Sequence, residues 1–277
     1  MRTILVSLLF LSSSFAIAAD NCKFSAERNL DIDAAGLRAL RLELGSSDAH
    51  VEGVAGLARA EVRGKACASD QAWLADLNLE QRRDGDKVVV KAVKAQRTTG
   101  GWGNNYAYLD LTVRVPVNFT IEVDTGSGDV EVTNVAALDA SAGSGDVTAH
   151  HIAGAVIAKV GSGDIKADGI GGLNLLSVGS GDVTATDVRG DVKVGNVGSG
   201  DLHLGAVHGG VQVNSIGSGD LGVEHADGDV VVESIGSGDV TVADVTGGFR
   251  VGHAGSGEIH HTRVSGKVDV PTKHQND

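Results

Sequence analysis

From residue 109 onward, apolar residues fall into short runs of the form V-x-V-x-x-V, and each run closes on glycine, as in "GDVVVESIGS" (228–237) and "GDVTVADVTG" (238–247). Alternation of period two marks a strand with one buried face. A longer period lies on top of it. The word GSGD, or GSGE in its last copy, opens at Gly126, Gly143, Gly161, Gly179, Gly198, Gly217, Gly236 and Gly255, at spacings of 17, 18, 18, 19, 19, 19 and 19 residues. Aligned on this word, the copies share apolar columns. The first is Val130, Val147, Ile165, Val183, Leu202, Leu221, Val240 and Ile259; a later one is Val135, Ile152, Ile170, Val188, Val207, Ala226, Val245 and Val264. The residues between the columns are polar and variable.

Each unit therefore holds two short strands and two glycine turns, which makes it one complete coil. Stacked coils pair in parallel and give two facing sheets with aliphatic ladders between them. The spacing predicts an all-β chain: a single-stranded parallel β-helix, or β-solenoid, flattened, with two strands per 17–19-residue coil. Parallel crossovers favour the right hand. At about 4.8 Å per coil, eight coils make a rod roughly 38 Å long. Stacked columns suit Val, Ile and Ala better than rings, which fits an aromatic content of 3%. The glycines flanking each acidic residue are expected to take positive φ.

Before the repeats the pattern is less regular. "LDLTVRVPVNFTIEVDT" (109–125) reads as two strands broken at Pro116, and "LRALRLELGSSDAHVEGVAGL" (37–57) holds a degenerate copy with Ser46, Ser47 and Asp48 at its corner. "LNLEQRRDGDKVVVKAV" (77–93) reads as a hairpin turning at Asp84-Gly85. These segments predict a β cap over residues 20–108, continuous with a solenoid over 109–270 and followed by a polar tail, 271–277. A solenoid needs caps because an open end exposes core and strand edge together. The irregular ends, with Pro271 after the last strand, are read as caps on a monomer.

An exported N-terminus, the lead-in "VPVNFTIEVDTGSGDVEV" and the reiterated SGDV corners resemble the bacterial "putative adhesin" family of β-strand-repeat proteins, a domain of unknown function. The resemblance covers residues 30 to 270. It implies an exported β-solenoid, described as an adhesin by analogy, and brings no catalytic residues.

The first nineteen residues carry Arg2, an apolar run from Ile4 to Phe10, and small residues at Ala16–Ala19, the build of a secretory signal peptide. Export gives a periplasmic or secreted protein. Two cysteines follow, Cys22 and Cys67, and in an oxidising compartment they are expected to form one disulfide. The net charge of −13 argues against nucleic acid and anionic membrane surfaces. No later run is long enough to span a membrane. The expected partner is an unidentified protein or glycan of the envelope.

The candidate chemistry is sparse. The acidic column Asp129, Asp146, Asp164, Asp182, Asp201, Asp220, Asp239 and Glu258 lies along one edge. Unit charges one coil apart repel by about 1 kcal/mol even in water, so something must offset them. Hydrogen bonds from turn N–H groups are one answer and a ladder of divalent cations such as calcium is the other. The histidines fall at outward or turn positions and do not converge on a metal site. Trp102, Tyr106 and Tyr108 gather in one loop, either plugging the core or forming an aromatic platform for a partner. No GxSxG elbow, Walker motif or dinucleotide fingerprint occurs. The reading is a non-enzymatic, adhesin-like structural or binding module with no cofactor. Its alternatives are a cation-binding solenoid and a polysaccharide-acting enzyme on the same scaffold.

Overall fold

A computed structural model describes residues 22–94 and 106–271; Trp102 and the first nineteen residues, expected to be a signal peptide, lie outside the described residues. Among these, strands form two sheets of twelve that face one another across a core of Val, Ile, Leu and Ala. The chain is an all-β solenoid of about eight turns.

The N-terminal part supplies β1 (Phe24–Asp33), β2 (Ala39–Gly45), β3 (Asp48–Val54), β4 (Arg59–Ala68), a one-turn helix α1 (Gln71–Ala75), β5 (Leu77–Asp84), β6 (Lys87–Lys94), β7 (Ala107–Pro116) and β8 (Thr120–Thr125). The degenerate copy is a true coil. β2 and β3 turn at Gly45–Asp48 and stack directly beneath β8 and the first repeat strand, with Leu40 against Ile121 and Val51 against Val132. β4 then runs antiparallel between β1 and β7, and β5 and β6 form the hairpin, Asp84 opposite Lys87. The sequence reading did not anticipate α1, whose one signal is Asp70, an N-cap accepting from the Ala72 N–H at 2.7 Å. Cys22 and Cys67 are joined as a disulfide.

From β8 onward the strands alternate between the sheets in strict parallel register. Val183 of one coil meets Leu202 of the next, Leu202 meets Leu221, and Leu221 meets Val240. The growth of the coil from 17 to 19 residues has two sources. One residue enters at the second corner around Gly154, and a bulge enters the second sheet at Leu176. Gly195, Asn214, Glu233 and Gly252 continue the bulged column, so both halves of later coils read V-x-V-x-x-V. Leu176 itself is 52% exposed.

The corner glycines depart from expectation. None of those in the GSGD words has positive φ. Their requirement is close approach: a methyl carbon at Gly181, Gly200 or Gly257 would lie 1.8 Å from the carbonyl oxygen of the preceding coil's corner. Positive φ falls instead on a column five residues past each acid, namely Asn134, His151, Gly169, Asp187, Ala206, His225, Asp244 and Arg263, with φ between 50° and 66°. This left-handed residue kinks each strand so that the third and sixth apolar positions both face inward. Among L-residues Asn, Asp and His tolerate the conformation best; Ala206 does not. Ala206 is exposed, and Ala206→Gly is expected to raise stability by about 0.5–1 kcal/mol, the left-handed cost less glycine's added chain entropy, read from denaturant midpoints.

Candidate functional site

The first corner of each coil brings the acidic column into one line, and each carboxylate has a defined task. Asp129 Oδ1 accepts from the Asp146 N–H at 2.9 Å, Asp146 Oδ1 from Asp164 at 2.8 Å, and Asp164 Oδ1 from Asp182 at 2.9 Å. The chain continues through Asp201, Asp220 and Asp239 to the Glu258 N–H at 2.7 Å. It also starts one coil earlier than the repeats, because Asp48 Oδ1 accepts from the Asp129 N–H at 2.8 Å. Backbone bonds run alongside, such as Val183 N–H to the Asp201 carbonyl at 2.8 Å. Each aspartate of the column thus holds the next coil's corner, not its own turn, while the Glu258 carboxylate lies 3.1 Å from His260. A charge-assisted acceptor on a backbone N–H outweighs a neutral one, which answers the repulsion between neighbours.

The second corner repeats the device at alternate coils. Asp191 Oδ1 accepts from the Gly210 N–H at 2.9 Å and Asp229 Oδ1 from the Gly248 N–H at 2.7 Å. Sequence reading missed this pair because the intervening coils carry glycine there.

Replacing one rung tests what the carboxylates are for. Asp201→Ala removes the acceptor for the Asp220 N–H and should cost about 1 kcal/mol, as for a lost cap. Asp201→Asn keeps an acceptor and relieves repulsion from two neighbours, so its unfolding midpoint should equal or exceed that of the parent. An Asn variant as unstable as the Ala variant would sink the acceptor account.

Most of the histidines point outward and line the first sheet, while His253 lies in the second sheet and His261 ends an inner column. His208 Nδ1 is 3.0 Å from Asp227 Oδ2, and His225 Nε2 is 3.5 Å from Asp244. Arg263 also grips Asp244, and this hydrogen bond holds the Asp244 carboxyl below its usual range. Among the described residues no group of three or more His, Cys, Asp or Glu is arranged to hold a metal.

Tyr106 and Tyr108 sit on or beside β7, half-buried, with ring centroids 6.0 Å apart. Their neighbours Ala107 and Leu109 take the inward positions, so the tyrosines do not fill the core. The Tyr106 hydroxyl accepts from the Lys23 N–H at 3.0 Å, and burial pushes the Tyr108 hydroxyl above its usual pKa. Asp110 is also raised, first by burial and then by Asp48. The rings that do enter the core are Phe119 and Phe249, each 1% exposed. A shallow groove of about 510 Å³ runs across successive coils of the second sheet, lined by Ser141, Lys159, Ser177 and Asn196 and by the corner glycines beside them.

The stacked coils have counterparts among known proteins. Residues 153–277 match the Toastrack DUF4097 family model. The Toastrack match begins at the second corner of the second coil and takes in the six later GSGD or GSGE corners, in agreement with the resemblance read from the repeats. No curated protein matches the chain. Solved structures with similar layout include a "putative lipid binding protein" from Parabacteroides distasonis ATCC 8503, 18% identical with a TM-score of 0.47, covering 90% of this chain and 98% of that one. A "putative adhesin" from Parabacteroides merdae ATCC 43184 is 12% identical with a TM-score of 0.42, covering 87% and 97%. A "putative cell adhesion protein" from Clostridium sporogenes ATCC 15579 is 11% identical with a TM-score of 0.39, covering 86% and 99%. No helix among the described residues is long and apolar enough to cross a membrane.

Proposed function

We propose that the chain is an exported, non-enzymatic solenoid that serves as an adhesin-like structural or binding module of the cell envelope. The observation that carries this reading is the use made of its recurrent acids. The side chains best suited to chemistry are hydrogen-bonded into the next coil, so they build a rod with long polar faces. Such a rod offers a partner one repeated surface in place of a single pocket. The groove along Ser141, Lys159, Ser177 and Asn196 is the face on which an extended glycan or protein segment would lie.

Cell fractionation followed by cross-linking and pull-down with the mature chain tests the reading. The protein is expected in the envelope or medium, holding an envelope protein or glycan. Retention in the cytosol, or turnover of a polysaccharide, would overturn it.

One observation favours a second reading, a cation-binding edge. From Asp129 to Asp239, each carboxylate engages Oδ1, and Oδ2 has no hydrogen-bond partner among the described residues. Thermal unfolding in excess calcium and in chelator decides this alternative; equal midpoints remove it.

A further inference from the structure

The two ends of the rod are built differently. At the N-terminal end the sheets are tied across the core. Arg28 of β1 donates from Nε to the Leu77 carbonyl at 2.6 Å and from Nη2 to the Leu74 carbonyl at 3.0 Å, so the first sheet is held to α1 and β5. Both terminal strands there, β1 and β5, run antiparallel to their neighbours and are rich in charge.

The sequence reading expects a cap at the other end too. Among the described residues there is none. The last strands, Ile259–Val264 of the first sheet and Val268–Asp269 of the second, pair on one side only, as β1 and β5 do, but no side chain among the described residues ties them across the core as Arg28 does at the other end. In earlier coils the N–H after each acid donates to the next coil, as Val240 does to the Glu258 carbonyl at 2.8 Å. Ile259 has no next coil among the described residues. Ile259, Val264, Val268 and Val270 are only partly buried, above a fully buried Phe249. The inner column that runs Val132, Ala149, Ala167, Ala185, Leu204, Val223 and Val242 ends on His261, which is exposed and lies with its ring centroid 6.0 Å from that of Phe249.

We propose that this open end is an interface for a second copy of the chain, joined tail to tail about a two-fold axis. A partner must extend two sheets at once, at the separation this rod itself has. The N-terminal end of another copy does not fit, because its sheets are bridged by Arg28 and end in antiparallel, charged strands. A second C-terminal end does. The charges are self-complementary: Lys267 and Asp269 flank Val268, and antiparallel self-pairing centred on Val268 sets Lys267 of each copy opposite Asp269 of the other. In one chain the two make an exposed contact of 3.6 Å. The association closes at two copies. With only two short strands contributed by each copy, it belongs to the weak class of interfaces.

Sedimentation velocity of the mature, oxidised chain across a concentration series provides the test. A monomer–dimer equilibrium is expected, with nothing larger. Lys267→Asp turns both cross-pairs into like charges and should weaken the dimer about tenfold, while Lys267→Asp with Asp269→Lys restores it. Both side chains are exposed, at 84% and 61%, so the fold should be kept, as circular dichroism would verify. His261→Val completes the aliphatic column and should strengthen association. A monomer at every concentration, species beyond the dimer, or charge reversal without effect would overturn the proposal. So would association that arises only after removal of residues 272–277, since that would make the chain's own tail the occupant.

Discussion

Gly200→Ala is expected to destabilise the solenoid by about 3 kcal/mol or more, among the largest effects of a single methyl group in the repeat region. The added carbon would lie 1.8 Å from the Gly181 carbonyl oxygen and 2.6 Å from its carbonyl carbon. Neither atom can yield, because both corners are pinned. Gly198 N–H donates to the Val178 carbonyl and Ser199 N–H to the Gly179 carbonyl, each at 2.9 Å, and Asp201 N–H is held by Asp182 Oδ1. Overpacking against backbone forces the coils apart and breaks those bonds together. In a stacked array the damage is local to one interface, so hydrogen exchange should rise first at the corners of residues 179–182 and 198–201. Ser199→Ala is the control. Its side chain is exposed, and a change within about 0.5 kcal/mol is expected. Equal unfolding midpoints for the two variants would refute the close-approach account.

Reduction of the disulfide is expected to cost about 4 kcal/mol at the N-terminal end. Cys22 and Cys67 close a loop of 45 residues, and a cross-link of that span removes conformational freedom from the unfolded chain on that scale. Cys67 is 1% exposed, and Ser25 is its register partner in β4 opposite β1. Reduction therefore frees the start of β1, the strand whose Arg28 ties the two sheets. Denaturant unfolding with and without reductant should show the loss, and proteolysis should cut near β1 before it reaches the repeats. If the reduced protein unfolds at the same denaturant concentration as the oxidised one, β1 is held by its pairing alone.

Much of the fold was legible because each coil writes the same constraint again. Columns such as Val130, Val147, Ile165 and Val183 could only be one buried face of stacked strands, and their spacing predicted both the parallel register and the two-sheet section. The degenerate corner at Ser46, Ser47 and Asp48 was visible for the same reason. Other features lacked a repeated residue type. The left-handed column holds Asn134, His151, Gly169, Asp187, Ala206, His225, Asp244 and Arg263, which share a backbone conformation and no chemistry. The acceptor pair Asp191 and Asp229 skips every other coil, so no column of acids announced it. α1 has a single cap residue and barely more than one turn, too little for a periodic signal.

By itself, the sequence determined the solenoid, its coil length and the line of acids on one edge, because those follow from local alternation repeated eight times. Tertiary structure decided what the acids and glycines do. Whether a carboxylate caps its own turn or the next coil, and whether a glycine is needed for its φ or for want of space, depends on atoms 17 to 19 residues away in sequence and one strand spacing away in space. The same is true of the ends. A terminal strand in the sequence does not show whether its outer edge is covered, and only the stacked coils show, among the described residues, one end tied across by Arg28 and another without such a tie.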